Sequence, residues 1–318
     1  MSRSPLRSPS WVAGLFTLST LTGLVACGGS DGDDGRADPD AAVDLDSAIP
    51  DGWTSLMEGD WSLAAGEEAY FCVYATVPTD THVKAFRPLI PPGTHHTVLT
   101  LFDSASPPDG TVRCGVGTNG QSMIYGSGVG SPDFVFPTGV GLHLRAGQRL
   151  LLNLHLYNAS DQPLTGRSGT LIQTATAGEI QHEAELVLAG PTITLTVPPG
   201  VSTQSGTCNI SSIASAPIQV FSLSQHMHKL GTNVRSVVTR GNEQFTLQDA
   251  PYDFEHQTFS LVEPHVELRP GDVLTTYCTY DNTTGRTVTF GDSSDDEMCF
   301  TDLFYYPAQG APFVCSGL

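Results

Sequence analysis

What most constrains this chain is that its apolar residues come only in short runs, each cut off by glycine, proline or aspartate. Among 318 residues there are 33 Gly and 22 Pro, several clustered as in Pro91-Pro92-Gly93 and Pro198-Pro199-Gly200. A helix needs apolar positions recurring every three and four residues, and no window past residue 26 offers that over eleven residues or more. The runs are instead β-branched or aromatic: residues 69–77, 97–102, 134–136 and 149–157, then 184–189, 192–197, 218–223, 234–239, 244–247, 273–280, 287–290 and 300–306. Runs of this length and chemistry, separated by turn residues, read as strands. The expected fold class is all-β, two antiparallel β-sandwiches of jelly-roll-like type in tandem, at 53–177 and 178–318, with the boundary inside 174–182.

The first 52 residues stand apart. Arg3 and Arg7 precede an apolar stretch, 11–26, that is too short and too rich in Ser and Thr to span a bilayer well. It reads as a signal peptide over 1–26, outside the fold. Leu24-Val25-Ala26-Cys27 followed by Gly28-Gly29 resembles the bacterial lipobox, in which the cysteine is acylated after cleavage before it. Several acyl chains anchor stably where one would not. The expectation is an exported protein, lipid-anchored through Cys27 to a bacterial membrane on the periplasmic face or cell surface. Residues 28–51 hold eight Asp and one Arg, so 27–52 reads as a self-repelling, unfolded tether. The formal net charge of −19 argues against a nucleic-acid partner, because a polyanion would be repelled.

Beyond Cys27 lie six cysteines, Cys72, Cys114, Cys208, Cys278, Cys299 and Cys315, with no C-x-x-C spacing. An even set in an exported chain implies disulfides rather than a zinc site, and six thiols allow about fifteen pairings.

Ten histidines are unevenly placed. His226 and His228 are two apart, so on a strand both imidazoles project from one face, as two surface groups or as half a coordination shell for copper or zinc. His95 and His96 are adjacent and on a regular strand would point apart. Joint ligation there requires an irregular strand start, which the preceding Pro-Pro-Gly could supply; a loop pair is the plain alternative. His155 shares a strand face with Asn153 and Tyr157, which suits a hydrogen-bonded group or a ligand. Met298 follows Ser293-Ser294-Asp295-Asp296-Glu297 and precedes Cys299, an odd setting for core packing; its thioether is a soft donor suited to Cu(I). His143 reads as structural, and His82, His182, His256 and His265 as surface or hydrogen-bonding residues.

Taken in order, these pieces resemble one family, the copper type II, ascorbate-dependent monooxygenases. That family has a His-His pair and a later His in its first half, then a His-x-His pair and a Met in its second. The resemblance covers roughly residues 65–318. It implies an electron-transfer copper on His95, His96 and His155, and a second copper on His226, His228 and Met298, where O2 and substrate meet. Its cofactors would be two copper ions, with ascorbate or a similar one-electron donor and O2 as co-substrates. It also implies the pairs Cys72–Cys114, Cys208–Cys315 and Cys278–Cys299.

The departures narrow the substrate. Peptide-hydroxylating members carry an Arg two residues before the His-x-His pair, where this chain has Ser224, and a Tyr four residues after the Met, where it has Asp302. A glycine-extended peptide is therefore disfavoured as the small-molecule substrate, and Asp302 could favour a cationic amine. Other readings are a copper-storing lipoprotein without turnover and a surface β-protein with vestigial ligands. A zinc hydrolase leaves the methionine without a purpose.

Overall fold

The computed structural model describes residues 49–102, 104, 107–115 and 122–317. The signal peptide, Cys27 and the acidic stretch up to residue 48 lie outside the described residues. The described chain is nearly all-β, with no α-helix and a single 3-10 turn, Ile210–Ser212. Its sheets are antiparallel except where His182–Glu183 joins Val140–Leu144 and Val314–Cys315 joins Glu185–Ala189 in parallel.

Two sheets build the first half. One runs Thr54–Leu63, Leu164–Ala175, Thr81–Leu89, Val140–Leu144 and His182–Glu183; the other runs Gly110–Cys114, Glu68–Thr76, Arg149–Tyr157, Thr94–Leu101 and Met123–Gly128. Trp61, Leu63, Val83 and Phe86 of the first sheet share one buried cluster with Phe71, Leu99, Leu152 and Leu154 of the second. In the second half Ser260–Leu268, Ile218–Met227, Cys299–Tyr306, Glu185–Ala189 and Val314–Cys315 form one sheet, and Gly200–Asn209, Val273–Asn282, Gly231–Arg240 and Glu243–Pro251 another.

The sheet carrying Cys299–Tyr306 is apolar on both faces. Side chains alternate along a strand. Thus Leu303 and Tyr305 pack with Val238 and Leu274 of the neighbouring sheet, while Phe300 and Phe304 join the first half's cluster. Phe134 lies 5.0 Å from Phe304 and Phe136 lies 5.9 Å from Phe221, ring centroid to ring centroid. Each such ring contributes about 1.5–3 kcal/mol by leaving water, so the two halves are joined by a dry aromatic seam. Double-sided burial also explains why 300–306 reads as a near-continuous apolar run rather than an alternating one.

Most strand expectations hold in place, and the clearest differences in extent fall at 192–197, at 218–223 and at 244–247, the last of which runs over Glu243–Pro251. Residues 192–197 are extended only over Thr196–Val197. The strand expected to end at 223 continues through Met227, which puts His226 inside the ladder. Strands at Thr54–Leu63, Thr81–Leu89, Leu164–Ala175, Gly200–Asn209 and Ser260–Leu268 had not been read, because Gly, Pro, Ser and Thr interrupt their apolar pattern. Three disulfides close the fold, Cys72–Cys114, Cys208–Cys315 and Cys278–Cys299, the pairs that the family resemblance implies.

Candidate metal centre

A bulge brings the adjacent histidines together. Thr94 pairs with Leu156 and His96 with His155, so His95 is an extra residue in its strand. One inserted residue turns a side chain that would have pointed away back toward its neighbour. The turn just before is tight: Thr94 N–H donates to the Pro91 carbonyl at 3.0 Å. Gly93 there has φ +97°, and a Cβ would come within 2.7 Å of both Trp61 and Leu164, so only glycine fits.

His95, His96 and His155 form the one cluster of three potential metal ligands from His, Cys, Asp and Glu among the described residues, their donor atoms within 4.8 Å of one another. The Nδ1 atoms of His95 and His155 lie 3.0 and 3.3 Å from Nδ1 of His96. A metal held about 2.0–2.1 Å from three imidazole nitrogens would space those nitrogens roughly 3.3–3.6 Å apart, close to what is observed.

The hydrogen bonds behind these rings decide their tautomers. His155 Nε2–H donates to Glu68 Oε1 at 2.6 Å, and His95 Nε2–H to Glu255 Oε2 at 3.1 Å, since a carboxylate can only accept. Both Nδ1 atoms are then bare lone pairs aimed at His96, whose single proton could satisfy only one of them. A cation satisfies all three. Burial first, then the neighbouring imidazoles, holds His96 well below the usual imidazole range. Burial likewise lowers His155, against the opposing pull of Glu68. Tyr70, two residues from Glu68 on the same strand face, stacks on His155 at 4.4 Å.

The second set has a different construction. His226 and His228 leave one face at the end of Ile218–Met227, ring centroids 5.4 Å apart. His226 pairs with Phe300 and Met227 with Cys299, where the ladder ends, so His228 and Met298 are the next residue of each chain segment. His226 Nδ1–H donates to Gln257 Oε1 at 2.8 Å and His228 Nδ1–H to the Asp296 carbonyl at 3.2 Å. His226 therefore keeps Nε2 as a bare lone pair, while the His228 ring also meets the Ser293 carbonyl. Burial lowers both, His226 to about 4, so each imidazole is neutral at physiological pH. Zinc and copper both accept such imidazoles, but a thioether in the set favours copper.

Two acidic groups sit beside this pair. Glu297 has no exposed surface, and its carboxylate accepts the backbone N–H groups of His228 at 2.9 Å and Leu230 at 2.8 Å. Burial raises it to about 7. It pins the chain just past the His-x-His pair to the residue before Met298, which Tyr280 also holds by donating its hydroxyl to the Met298 carbonyl at 2.7 Å. Asp302 pairs with Ser224 in the ladder, two residues in from His226 on the same face. It is 4% exposed, its Oδ1 has no partner among the described residues, and burial raises it to about 8.

Glu68, Tyr70, Phe254, Glu255, Gln257 and Glu297 were not singled out from the sequence. Only Glu68 and Tyr70 had a readable signal, lying on the same strand face as Cys72. The remaining histidines have other occupations: His82 stacks on His143 at 4.4 Å, His182 on Tyr306 at 5.5 Å, His256 Nδ1–H donates to Asp253 and His265 shares a hydrogen bond with the Tyr306 hydroxyl.

The family profile for the copper type II ascorbate-dependent monooxygenase, C-terminal domain, matches residues 183–316. His226, His228 and Met298 lie inside the match and His95, His96 and His155 outside it. Among curated relatives, DBH-like monooxygenase protein 1 of Mus musculus is 27% identical over 277 residues, 75% of this chain and 44% of that protein. Peptidyl-glycine alpha-amidating monooxygenase A of Xenopus laevis is 27% identical over 75% of this chain and 26% of its own length. Dopamine beta-hydroxylase of Canis lupus familiaris is 24% identical over 77% and 44%. The chain thus spans less than half the length of these relatives. The second half of the chain carries the C-terminal domain of the copper type II, ascorbate-dependent monooxygenase family, and three quarters of the chain is similar to monooxygenases of that kind.

Proposed function

We propose that the protein is a copper-dependent monooxygenase that hydroxylates a substrate C–H bond. The observation that carries this reading is the convergence of three imidazole Nδ1 atoms, two of them on rings whose Nε2 is already committed to a carboxylate, in a chain whose second half matches the family. Overall, R–H, O2, two electrons and two protons would give R–OH and water, with ascorbate as the one-electron donor. Bound copper would supply the one-electron redox chemistry and the activation of O2.

His95, His96 and His155 would hold the electron-transfer copper, and His226, His228 and Met298 the copper nearest the substrate. The protein's part is to present neutral lone pairs. Glu68 and Glu255 fix Nδ1 as the donor in the first set, while Gln257 and the Asp296 carbonyl fix Nε2 in the second. Glu297 keeps Met298 beside His228. Ser224 and Asp302 face the substrate side of His226, and a buried carboxyl without a counter-charge favours a cationic amine, whose charge would ionise and pair with it. We also read the two halves as tandem β-sandwich domains, 53–177 and 178–318, and the N-terminus as a signal peptide with a lipid anchor at Cys27.

The test is elemental analysis of the purified full chain with ascorbate-dependent O2 uptake against an amine and amide panel. Copper at both sites with substrate-stimulated uptake supports the enzyme. Copper without turnover on any panel member points to storage, and absence of copper binding overturns the reading. For the amine, Asp302→Asn should raise KM more than it lowers kcat. Acylation of Cys27 would be read by mass spectrometry of the membrane fraction, with Cys27→Ser releasing the protein.

A further inference from the structure

The two ligand sets are far apart in sequence, yet one short segment touches both. Within residues 253–257, Glu255 accepts from His95 at 3.1 Å, and Gln257 accepts from His226 at 2.8 Å. Between them the Phe254 ring lies 5.3 Å from the ring of His95 and 6.5 Å from that of His228. The segment is tied to itself by Asp253, which accepts from the Glu255 N–H at 3.0 Å and from His256 Nδ1–H at 2.8 Å. It rests on the first half at Gly128, where a Cβ would meet the Gln257 carbonyl at 3.6 Å, and at Gly130, where one would meet His256 at 3.8 Å.

Gln257 has a directed role in this arrangement. Its Nε2 donates to the Phe254 carbonyl at 3.0 Å, which orients the amide and leaves Oε1 facing His226. That oxygen can only accept, so it selects the His226 tautomer with the proton on Nδ1. A neutral imidazole left alone populates both tautomers, and only this one offers Nε2 to a metal. An amide makes the selection without adding charge, whereas the first set uses the carboxylates of Glu68 and Glu255.

We propose that Gln257 is a positioning residue that fixes the His226 tautomer, and that its segment links the two metal sites. Through Phe254 and Glu255, disturbance at Gln257 registers at His95. This rests on the copper reading for its metal measurements but not for the tautomer.

The test begins with the metal-free full chain, with ring nitrogens followed by 15N NMR. His226 should carry its proton on Nδ1 in the wild type. Gln257→Met keeps the side-chain length and removes the acceptor; it should mix the tautomers and weaken Cu(I) at the His226 site by about 10–100-fold against a chromogenic chelator. Gln257→Glu restores an acceptor and should recover the tautomer and most of the affinity, although it cannot donate to Phe254. Thermal unfolding distinguishes this from a folding defect, since all three proteins should melt together. The Cu(II) EPR signal of the His95 site should shift in Gln257→Met and return in Gln257→Glu. A wild type that binds no copper but shows the Nδ1–H tautomer, lost in Gln257→Met, would overturn the enzyme reading and support the positioning role. An unchanged tautomer and unchanged Cu(I) affinity in Gln257→Met would overturn the role itself. An EPR signal that stays fixed would overturn the link.

Discussion

The His95, His96 and His155 cluster and the His226, His228 pair offer a metal opposite edges of the imidazole ring. The first presents Nδ1 and turns the Nε2 atoms of His155 and His95 toward the exposed carboxylates of Glu68 and Glu255, whose side chains are 50% and 64% accessible. The second presents Nε2 and turns Nδ1 toward neutral oxygens, the Gln257 amide and the Asp296 carbonyl. A carboxylate behind an imidazole makes it a stronger donor and favours the higher oxidation state; a neutral carbonyl does so less, and a thioether favours the lower. On the proposed function, the difference suits one site that would cycle electrons and one that would be held ready as Cu(I). The two sites also differ in what reveals them. Geometry alone exposes the first, which lies outside the family profile, while the second lies inside that profile but contributes only two histidines and a methionine.

The largest expected effect separates the sites outright. His96→Ala removes the nitrogen against which the other two are measured, and His226→Ala removes half of the second pair's imidazoles. Each should lower copper from about two to about one per chain and abolish turnover, because a site short of one ligand loses most of its affinity. Elemental analysis with EPR checks this. If either variant removes both coppers, the sites are one cooperative unit and the comparison fails.

Next is the disulfide beside Met298. Opening Cys278–Cys299 as Cys278→Ser with Cys299→Ser frees a loop of sequence separation 21 and should cost about 3 kcal/mol in the chain-entropy picture. Because Cys299 begins the strand and Met298 precedes it, copper should be lost from the second site before the first. Denaturant unfolding and copper titration of the same variant read both effects, and equal loss at the two sites would contradict the assignment of Met298.

How much of this could be read in the sequence follows from which interactions are local. Alternation places His226 and His228 on one face, and it places His155 with Tyr157, because both depend only on period two. The Pro-Pro-Gly run before His95 signalled an irregular start, which the structure realises as a bulge. The fold was legible where apolar runs were dense, as in the leucine-rich Arg149–Tyr157, and illegible in strands such as Gly200–Asn209, where small polar residues fill the exposed face. Nothing in 253–257 announces a role. Its contacts with His95 and His226 span about 160 and 31 residues, and such contacts are properties of the folded chain. Glu297 shows the same limit: it reads as one more solvated acid, yet folding buries it completely under the turn after Met227.

A smaller effect sharpens the electronic contrast. Glu68→Gln keeps an acceptor behind His155 but removes its charge. It should weaken Cu(II) at the first site by about tenfold, at the low end for such partners, and raise that site's reduction potential. The second site should be untouched. Spectroelectrochemistry measures both, and an equal shift at both sites would mean that the carboxylate acts through the fold rather than through its ring.

The smallest effect concerns the acids themselves, exposed at the first site and buried at the second. Asp302 is raised by burial to about 8 in the folded state, against about 3.9 when unfolded. Between those values the folded state keeps a proton that the unfolded state has released, so stability contributed by this group falls as pH rises from about 4 to about 8 and changes little outside that window. Asp302→Asn removes the slope. The variant should therefore match or fall below the wild type at pH 4 and exceed it at pH 8. The gain should be on the order of 1–2 kcal/mol, because the amide is itself buried without a full set of partners and offsets part of the benefit. Thermal unfolding of the metal-free proteins across that range decides it. A constant difference at all pH values would mean that Asp302 is ionised in the fold and already has a counter-charge, which would remove the reason for expecting a cationic substrate beside His226.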